Sequence, residues 1–280
     1  MVRRRGPSLD GVWDPQQYLR FGDERARPFR ELVARIGTSD PRTVVDLGCG
    51  PGTLTVELAD RWPAARIVGV DSSPEMIGTA RHASTPNVEY VEADVAAWRP
   101  PEPVDVVVAN ALFQWVPDHV ALFADLVGHL TDDGWFAFQV PGNFDARSHT
   151  RIRDLRRSAR WRERLATIAS GGAHEPVDYA RRFLDLGLSV DAWETTYVHV
   201  LDGDDAVLEW VKGTTLRPVL ARLDESERAE FLAELGERFR HDCPSSRGQT
   251  LFPFRRIFVV AHRPPHEDDE AHERVLTSRG

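Results

Sequence analysis

The sequence predicts a doubly wound α/β fold, in which a parallel sheet carries helices on both faces. Short apolar runs alternate with longer segments of helical periodicity from about residue 25 to residue 140. This alternation is typical of repeated β-α-β units. In addition, the first apolar run ends in a glycine-rich turn at 48–52, where a strand of such a sheet passes into its first crossover helix.

The elements of this first half follow in order along the chain. Apolar runs bounded by turn residues predict five strands, at 43–47, 66–71, 88–91, 104–109 and 135–140. Apolar residues spaced three and four apart predict crossover helices at 54–61, 74–82 and 120–130.

The second half has a different pattern. Periodicity predicts helices at 148–170, 178–186, 206–223 and 226–240, with strands at 193–201 and 256–261. We expect one domain over 1–280, with an N-terminal cap at 12–30 and helical lid insertions at 145–175 and 204–240. The acidic tail at 264–280 is predicted to be disordered.

Composition narrows the function classes. The chain has 280 residues and a formal net charge of −9, which argues against nucleic-acid binding, because that affinity depends on neutralising phosphates. No run approaches the roughly 18 to 20 apolar residues of a membrane span. With only Cys49 and Cys243 and no secretory signal pattern, the sequence favours a cytoplasmic protein, and we expect a monomer.

The glycine turn is a weak signal when taken alone. A dinucleotide site normally carries a third glycine where this chain has Thr53, and Pro51 removes an amide donor that could bind a pyrophosphate. A nicotinamide-dependent oxidoreductase is therefore disfavoured. The lysine of a phosphate-binding P-loop is also absent.

Three carboxylates lie at the predicted ends of successive strands. Asp46 precedes the glycines, Asp71 ends the second strand, and Asp94 follows the third. A carboxylate in the position of Asp71 can bind ribose hydroxyls, and one in the position of Asp94 can accept from an adenine amino group beside the Val95 amide. Strand ends and helix caps alone could also explain each acid, but all three together indicate a cationic nucleoside ligand.

These motifs together resemble those of the class I S-adenosylmethionine-dependent methyltransferases. The likeness covers about 40–140 and includes the glycine turn, the stretch from Gly69 to Met76, and Ala93-Asp94-Val95. It implies a Rossmann-like sheet of seven strands whose last strand is antiparallel, and S-adenosyl-L-methionine as cofactor. The cofactor-binding residues it implies are Asp46, Gly48, Gly50, Gly52, Asp71, Ser72, Met76, Asp94, Val95 and Asn110.

A narrower set of motifs resembles the trans-aconitate 2-methyltransferases. The set includes Trp-Asp-Pro-Gln-Gln-Tyr-Leu at 13–19, Gln-Trp-Val-Pro-Asp-His at 114–119, Pro-Gly-Asn-Phe-Asp at 141–145 and Trp-Val-Lys-Gly-Thr at 210–214. This resemblance implies methyl transfer to a carboxylate of a small polycarboxylic acid. A carboxylate is already ionised at pH 7, so no catalytic base and no metal are expected.

An anionic acceptor needs cations and a closed pocket. Guanidinium groups suit carboxylates, and Arg255 and Arg256 should point to opposite faces of the last strand, so that at most one enters the site. The predicted substrate-binding residues are Tyr18, Trp115, His119, Arg217 and Arg255. The alternatives are a methyltransferase of another small acceptor and a non-catalytic S-adenosylmethionine-binding protein.

Overall fold

The computed structural model of the chain describes residues 22–83, 85–169 and 171–265. These residues fall into two compact units. We call the first the core unit; its described parts are 26–83, 85–142, 171–195 and 255–265. We call the second the helical unit; its described parts are 22–25, 143–169 and 196–254.

The described residues form the following helices and strands. The strands are β1 Thr43–Leu47, β2 Arg66–Asp71, β3 Val88–Glu92, β4 Val104–Asn110, β5 Leu130–Pro141, β6 Ser189–Asp202 and β7 Gln249–His262. The α-helices are α1 Gly22–Val33, α2 Thr53–Arg61, α3 Pro74–His82, α4 Phe123–Gly128, α5 Arg147–Arg157, α6 Arg162–Leu165, α7 Pro176–Asp185, α8 Ala206–Lys212, α9 Arg217–Leu220 and α10 Glu225–Asp242. Two 3-10 turns, Phe113–Trp115 and His119–Leu122, lie between β4 and α4.

The strands form one seven-stranded sheet in the order β3-β2-β1-β4-β5-β7-β6. Strands β1 to β5 pair in parallel, whereas β7 runs antiparallel to β5. The chain order reverses beside β1, so the carboxyl ends of β1 and β4 border the crevice where such sheets bind ligands. This topology confirms the predicted doubly wound fold and its antiparallel last strand.

One face of the sheet in the core unit packs against an aromatic cluster. Phe113 and Phe123 are fully buried and contact Phe136 and Phe138 of β5 at ring-centroid distances of 5.3–6.1 Å. Phe183 of α7 stacks on Phe123 at 5.0 Å. The rings hold the segment after β4 against the sheet, and this segment borders the carboxyl edge of the strands.

Three predicted helices are interrupted. The segment predicted at 148–170 turns out as α5 and α6, because Ser158 takes an extended conformation that ends α5. The one predicted at 206–223 ends at Gly213, and α9 then starts at Arg217 with Pro218 in its first turn. The third, at 120–130, is a 3-10 turn followed by α4, and β5 already begins at Leu130.

The predicted domain boundaries can be placed on the two units. The described residues of the predicted insertion at 204–240 lie within the helical unit, and those of 145–175 divide at residue 170 between the two units. Of the predicted cap, 22–30 belong to α1, and 12–21 lie outside the described residues. The predicted disorder of the tail also falls outside them beyond residue 265. Their function as cap and lid stays a prediction.

Candidate active site at the carboxyl edge of the sheet

The glycine turn forms the floor of the candidate site. Gly48, Gly50 and Gly52 have φ values of 72°, 55° and 80°, a left-handed region that other residues rarely adopt. The amides of Gly48 and Cys49 donate to the Val70 carbonyl at 2.7 and 3.1 Å, which ties the turn to β2. Helix α2 begins immediately after this turn.

The three glycines are required for different reasons. A Cβ at Gly48 would lie 2.8 Å from Leu112, and one at Gly52 would lie 2.4 Å from the Tyr90 hydroxyl. A Cβ at Gly50 would meet no atom within 4 Å. Two of the glycines therefore permit close packing of the protein, whereas Gly50 faces open space that a ligand could fill.

Asp71 connects the glycine turn to the start of helix α3. Its Oδ2 accepts from the Gly50 amide at 3.0 Å, and its Oδ1 accepts from the Ser73 amide at 2.9 Å. The side chain is half-buried at the end of β2. Each carboxylate oxygen retains a further lone pair for a ligand hydroxyl.

Asp46 lies beneath the turn. Its side chain is buried, and Oδ2 accepts from the Thr55 hydroxyl at 2.7 Å. Burial raises the pKa of Asp46 to about 7, a hydrogen bond from Thr55 opposes this rise, and the neighbouring charge of Asp71 adds to it. A cation bound above the turn would favour the ionised form of Asp46.

The ends of β2 and β3 hold the remaining predicted nucleoside-binding residues. Met76 lies in the first turn of α3, which Ser73 caps by accepting from the Met76 amide at 3.3 Å. Ser72 is exposed immediately before this cap. Asp94 is also exposed, and its Oδ1 accepts from the Ala96 amide at 2.9 Å, while Val95 beside it is buried.

Asn110 ends β4 and takes part in a side-chain network. Gln139 of β5 donates through Nε2 to Asn110 Oδ1 at 2.5 Å. The Gln139 Oε1 accepts from Arg256 Nη1 at 3.2 Å. Gln139 and Arg256 are both buried, so these polar groups depend on one another for hydrogen bonds.

The carboxyl edge of the core unit can therefore hold a cationic nucleoside ligand. It offers an open space at Gly50, half-buried or exposed carboxylates at strand ends, and a buried carboxyl group that a positive charge would ionise. These features fit S-adenosylmethionine, which carries a sulfonium group, ribose hydroxyls and an adenine amino group. The opposite, amino edge has a cavity of about 180 Å³ beside Thr43, Arg66 and Trp98.

The described residues contain no group of three or more His, Cys, Asp or Glu side chains placed to bind a metal ion. No helix within them has the length and apolar character that a membrane span requires.

Known proteins match the chain over most of its length. A family model described as a methyltransferase domain matches residues 44–134. A trans-aconitate 2-methyltransferase of Streptomyces avermitilis is 47% identical over 266 residues, covering 92% of this chain and 99% of that protein. One of Rhodococcus jostii is 49% identical over 254 residues, covering 89% of this chain and 99% of that protein. The chain belongs to the trans-aconitate 2-methyltransferase family.

As a member of this family, the chain is a methyltransferase, and its cofactor is S-adenosylmethionine. Solved structures agree on the fold. The YcgJ protein of Bacillus subtilis superposes with a TM-score of 0.57 at 14% identity, covering 85% of this chain and 99% of that chain. A Bacillus halodurans structure described as a putative methyltransferase has a TM-score of 0.54 at 15% identity, with the same coverage of 85% and 99%.

Two predicted substrate-binding residues follow β4. The side chain of Trp115 is 46% exposed, so its indole is open to a ligand. His119 is buried, and its ring nitrogens contact the Tyr179 hydroxyl at 2.8 Å and the Val116 carbonyl at 3.3 Å. Burial lowers the pKa of His119. These contacts favour a packing role for His119 over contact with substrate.

The predicted cationic residues lie in different surroundings. Arg255 is in the core unit, where it donates to Glu175 at 3.1 Å, to Glu194 at 3.0 Å and to the Gly142 carbonyl at 3.2 Å. It can bind a substrate anion only by releasing a glutamate. Arg217 begins α9 in the helical unit and is half-buried. Tyr18 lies outside the described residues.

Sequence reasoning omitted two groups at this edge. The Gln114 side chain is buried and donates to the Ala111 carbonyl at 2.5 Å, which supports the turn after β4, where Ala111 has a φ of 54°. The second group is the Gln139–Arg256 pair. A glutamine within the otherwise apolar stretch 135–140 of β5 was the signal available for it, because a buried polar side chain needs a partner.

Proposed function

We propose that this protein transfers a methyl group from S-adenosylmethionine to a carboxylate oxygen of trans-aconitate or a similar small polycarboxylic acid, giving a monomethyl ester. The observation that carries the proposal is the identity of 47–49% with trans-aconitate 2-methyltransferases over about nine-tenths of the chain. The arrangement of the carboxyl edge supports it independently.

The cofactor lies over the glycine turn, with its methionine part near the first glycines and its adenosine toward β2 and β3. Asp71 binds the ribose hydroxyls, and Asp94 and Val95 bind the adenine, with Met76 against the ring. Ser72 lines the ribose side. The methionine part lies over Gly48, Gly50 and Gly52, and Asp46 and Asn110 face it.

S-adenosylmethionine supplies a methyl group that its positive sulfur makes electrophilic. The residues around it bind and orient both reactants, since the attacking carboxylate is already ionised at neutral pH and needs no base. The buried aromatic cluster that includes Phe113 packs against the segment after β4, and its apolar side chains strengthen charge interactions at this edge by excluding water.

The acceptor is held by side chains outside the cofactor residues. Trp115 is a large apolar side chain that is partly exposed in the segment after β4. Arg255 exchanges Glu175 or Glu194 for a substrate carboxylate, a like-for-like replacement of one charged partner by another. Tyr18 and Arg217 remain the other candidates for this role.

The activity is tested by incubating the purified protein with S-adenosylmethionine and separate polycarboxylates. The panel contains trans-aconitate, cis-aconitate, citrate and tricarballylate. Mass spectrometry should find trans-aconitate heavier by one CH₂ together with S-adenosylhomocysteine, and saponification should remove the added mass because it is an ester. Asp71→Ala serves as the control that should bind cofactor poorly.

The second candidate is a methyltransferase of another small acceptor, because Arg255 is already paired with Glu175 and Glu194. Turnover of a hydroxyl or amine acceptor with none of the polycarboxylates would replace the proposed substrate class. Cofactor binding without turnover of any acceptor would instead favour a non-catalytic binding protein.

A further inference from the structure

In the side-chain network at the end of β4, the donor and acceptor of each hydrogen bond follow from the presence of an arginine. An arginine guanidinium carries only hydrogen-bond donors and keeps its charge in proteins. Gln139 must therefore present Oε1 to Arg256, at the observed 3.2 Å. Its Nε2 then faces Asn110 as a donor, at 2.5 Å.

The same constraint passes on to Asn110. Since it accepts from Gln139 through Oδ1, its Nδ2 is the atom left to face other groups. A flipped amide in either residue would place two donors against each other. Among the described residues, nothing accepts a hydrogen bond from Asn110 Nδ2. The side chain is half-buried at the carboxyl end of β4, next to the turn at Ala111.

We propose that Arg256 and Gln139 are positioning residues that fix Asn110 as a hydrogen-bond donor, so that its side chain binds a carboxylate and discriminates against an ammonium group. This inference rests on the proposed function, and it assigns Asn110 a ligand group. The carboxylate belongs either to the methionine part of the cofactor or to the polycarboxylic acceptor. The network disfavours an interaction of the Asn110 side chain with the methionine amino group, because both groups would then be donors.

The register of the sheet supports this arrangement. Asn110 pairs with Gln139 across β4 and β5, and Pro141 pairs with Arg256 across β5 and β7. The Ala111 amide also donates to the Gln139 carbonyl at 2.9 Å. Backbone and side-chain hydrogen bonds therefore both join Gln139 to the end of β4. Three strands thus fix the direction of one amide group.

A reversal of the network tests the proposal. In Gln139→Glu both side-chain oxygens accept, so Asn110 must turn its Nδ2 inward and its Oδ1 toward the ligand. Gln139→Met is the matched control, because it removes the constraint without reversing it. Asn110→Asp is the second variant, which places a negative charge directly at the ligand and leaves Gln139 and Arg256 unchanged.

Binding is measured by calorimetry with S-adenosylhomocysteine and with 5′-methylthioadenosine, which lacks the amino-acid part, and the KM for trans-aconitate is measured alongside. Unchanged 5′-methylthioadenosine binding shows that a variant has folded with its nucleoside site intact. If the cofactor carboxylate is the ligand group, Gln139→Glu and Asn110→Asp should weaken S-adenosylhomocysteine by at least about tenfold, the effect of a lost charged hydrogen bond, and Gln139→Met should weaken it less.

If the acceptor carboxylate is the ligand group, the KM for trans-aconitate should rise by a similar factor while the affinity for S-adenosylhomocysteine stays unchanged. Two results would overturn the proposal. One is Gln139→Glu matching Gln139→Met in both measurements, and the other is Asn110→Asp binding both ligands as the wild type does. Failure of the wild type to methylate trans-aconitate would count against the proposed substrate only, because the S-adenosylhomocysteine arm needs no turnover.

Discussion

Asp71 both holds the glycine turn in place and is a proposed ligand of the cofactor ribose. It already accepts from the Gly50 and Ser73 amides, and we propose that it also binds the ribose hydroxyls. Asp71→Ala should therefore raise the Kd of S-adenosylhomocysteine by about 10- to 150-fold, corresponding to about 1.5–3 kcal/mol for hydrogen bonds to a charged group. Calorimetry measures this change.

The control for Asp71 is Asp60→Ala, which removes an exposed carboxylate from the end of helix α2. It changes the net charge by the same amount but should leave the Kd of S-adenosylhomocysteine unchanged. Equal losses in the two variants would mean that Asp71 acts only through overall charge.

The raised pKa of Asp46 predicts that the stability of the protein depends on pH. Its pKa in the folded protein is about 7, above the unfolded value of 3.8, so the folded state binds the extra proton between these values. The contribution of Asp46 to stability is therefore full below pH 4 and is lost as pH rises toward 7. Asp46→Asn keeps the acceptor for Thr55 and cannot ionise, so it should be more stable than the wild type at pH 8, by up to about 4 kcal/mol.

Urea unfolding of both proteins at several pH values between 4 and 8 measures this difference. The advantage of Asp46→Asn should be close to zero near pH 4, increase with pH and level off above about pH 7. An advantage that is constant across this range would show that Asp46 titrates normally. Thr55→Val is a useful companion, because loss of the opposing hydrogen bond should raise the pKa of Asp46 further.

At the scale of elements, substitutions at two glycines of the turn should affect different properties, stability at Gly52 and ligand binding at Gly50. An alanine at Gly52 would bring its Cβ to 2.4 Å from the Tyr90 hydroxyl, so Gly52→Ala should lower the melting temperature. Gly50→Ala meets no protein atom and adds only the strain of a left-handed residue, about 1–2 kcal/mol. Its methyl group should instead occupy ligand space and weaken S-adenosylhomocysteine binding more than it lowers stability.

Thermal unfolding and calorimetry on the two variants decide between these effects. Gly187→Ala is the matched control, because it also has a left-handed φ, of 80°, and open space, but lies between α7 and β6. It should reproduce the strain of Gly50→Ala without the loss of binding. If Gly50→Ala binds as tightly as Gly187→Ala, the cofactor does not approach Gly50.

Local patterns were enough to predict the strands, and contacts between distant residues explain most of what they missed. The bounds of β1 and β2 match the predicted 43–47 and 66–71, because an apolar run ending in glycine or aspartate has few other arrangements. The breaks at Ser158 and Gly213 were missed because apolar spacing continues across a short interruption. The buried pairing of Arg256 could not be predicted from local patterns, because its partner Gln139 lies 117 positions earlier in the chain.

At the scale of the whole molecule, the two edges of the sheet are chemically different. The carboxyl edge has the glycine turn and the strand-end carboxylates. The amino edge has a cavity beside Trp98, three prolines and one glutamate at 100–103, and an exposed ion pair between Arg66 and Glu89. Both lie in the core unit. A ligand could therefore bind at either edge of the sheet, and the topology favours the carboxyl edge.

Hydrogen exchange of the whole chain tests which edge binds the cofactor. Bound S-adenosylhomocysteine should slow exchange in turn amides at 48–53, 71–76, 93–97 and 110–115, because exposed turns exchange through local opening that a ligand prevents. In the segment 98–103 the amides of Trp98, Arg99 and Glu102 should exchange as before, and the three prolines there carry no amide hydrogen. At a ligand concentration about 100 times Kd, slowly exchanging amides gain about 2.7 kcal/mol from linkage to global unfolding. Slowing of 98–103 without 48–53 would move the cofactor to the amino edge and refute the site proposed here.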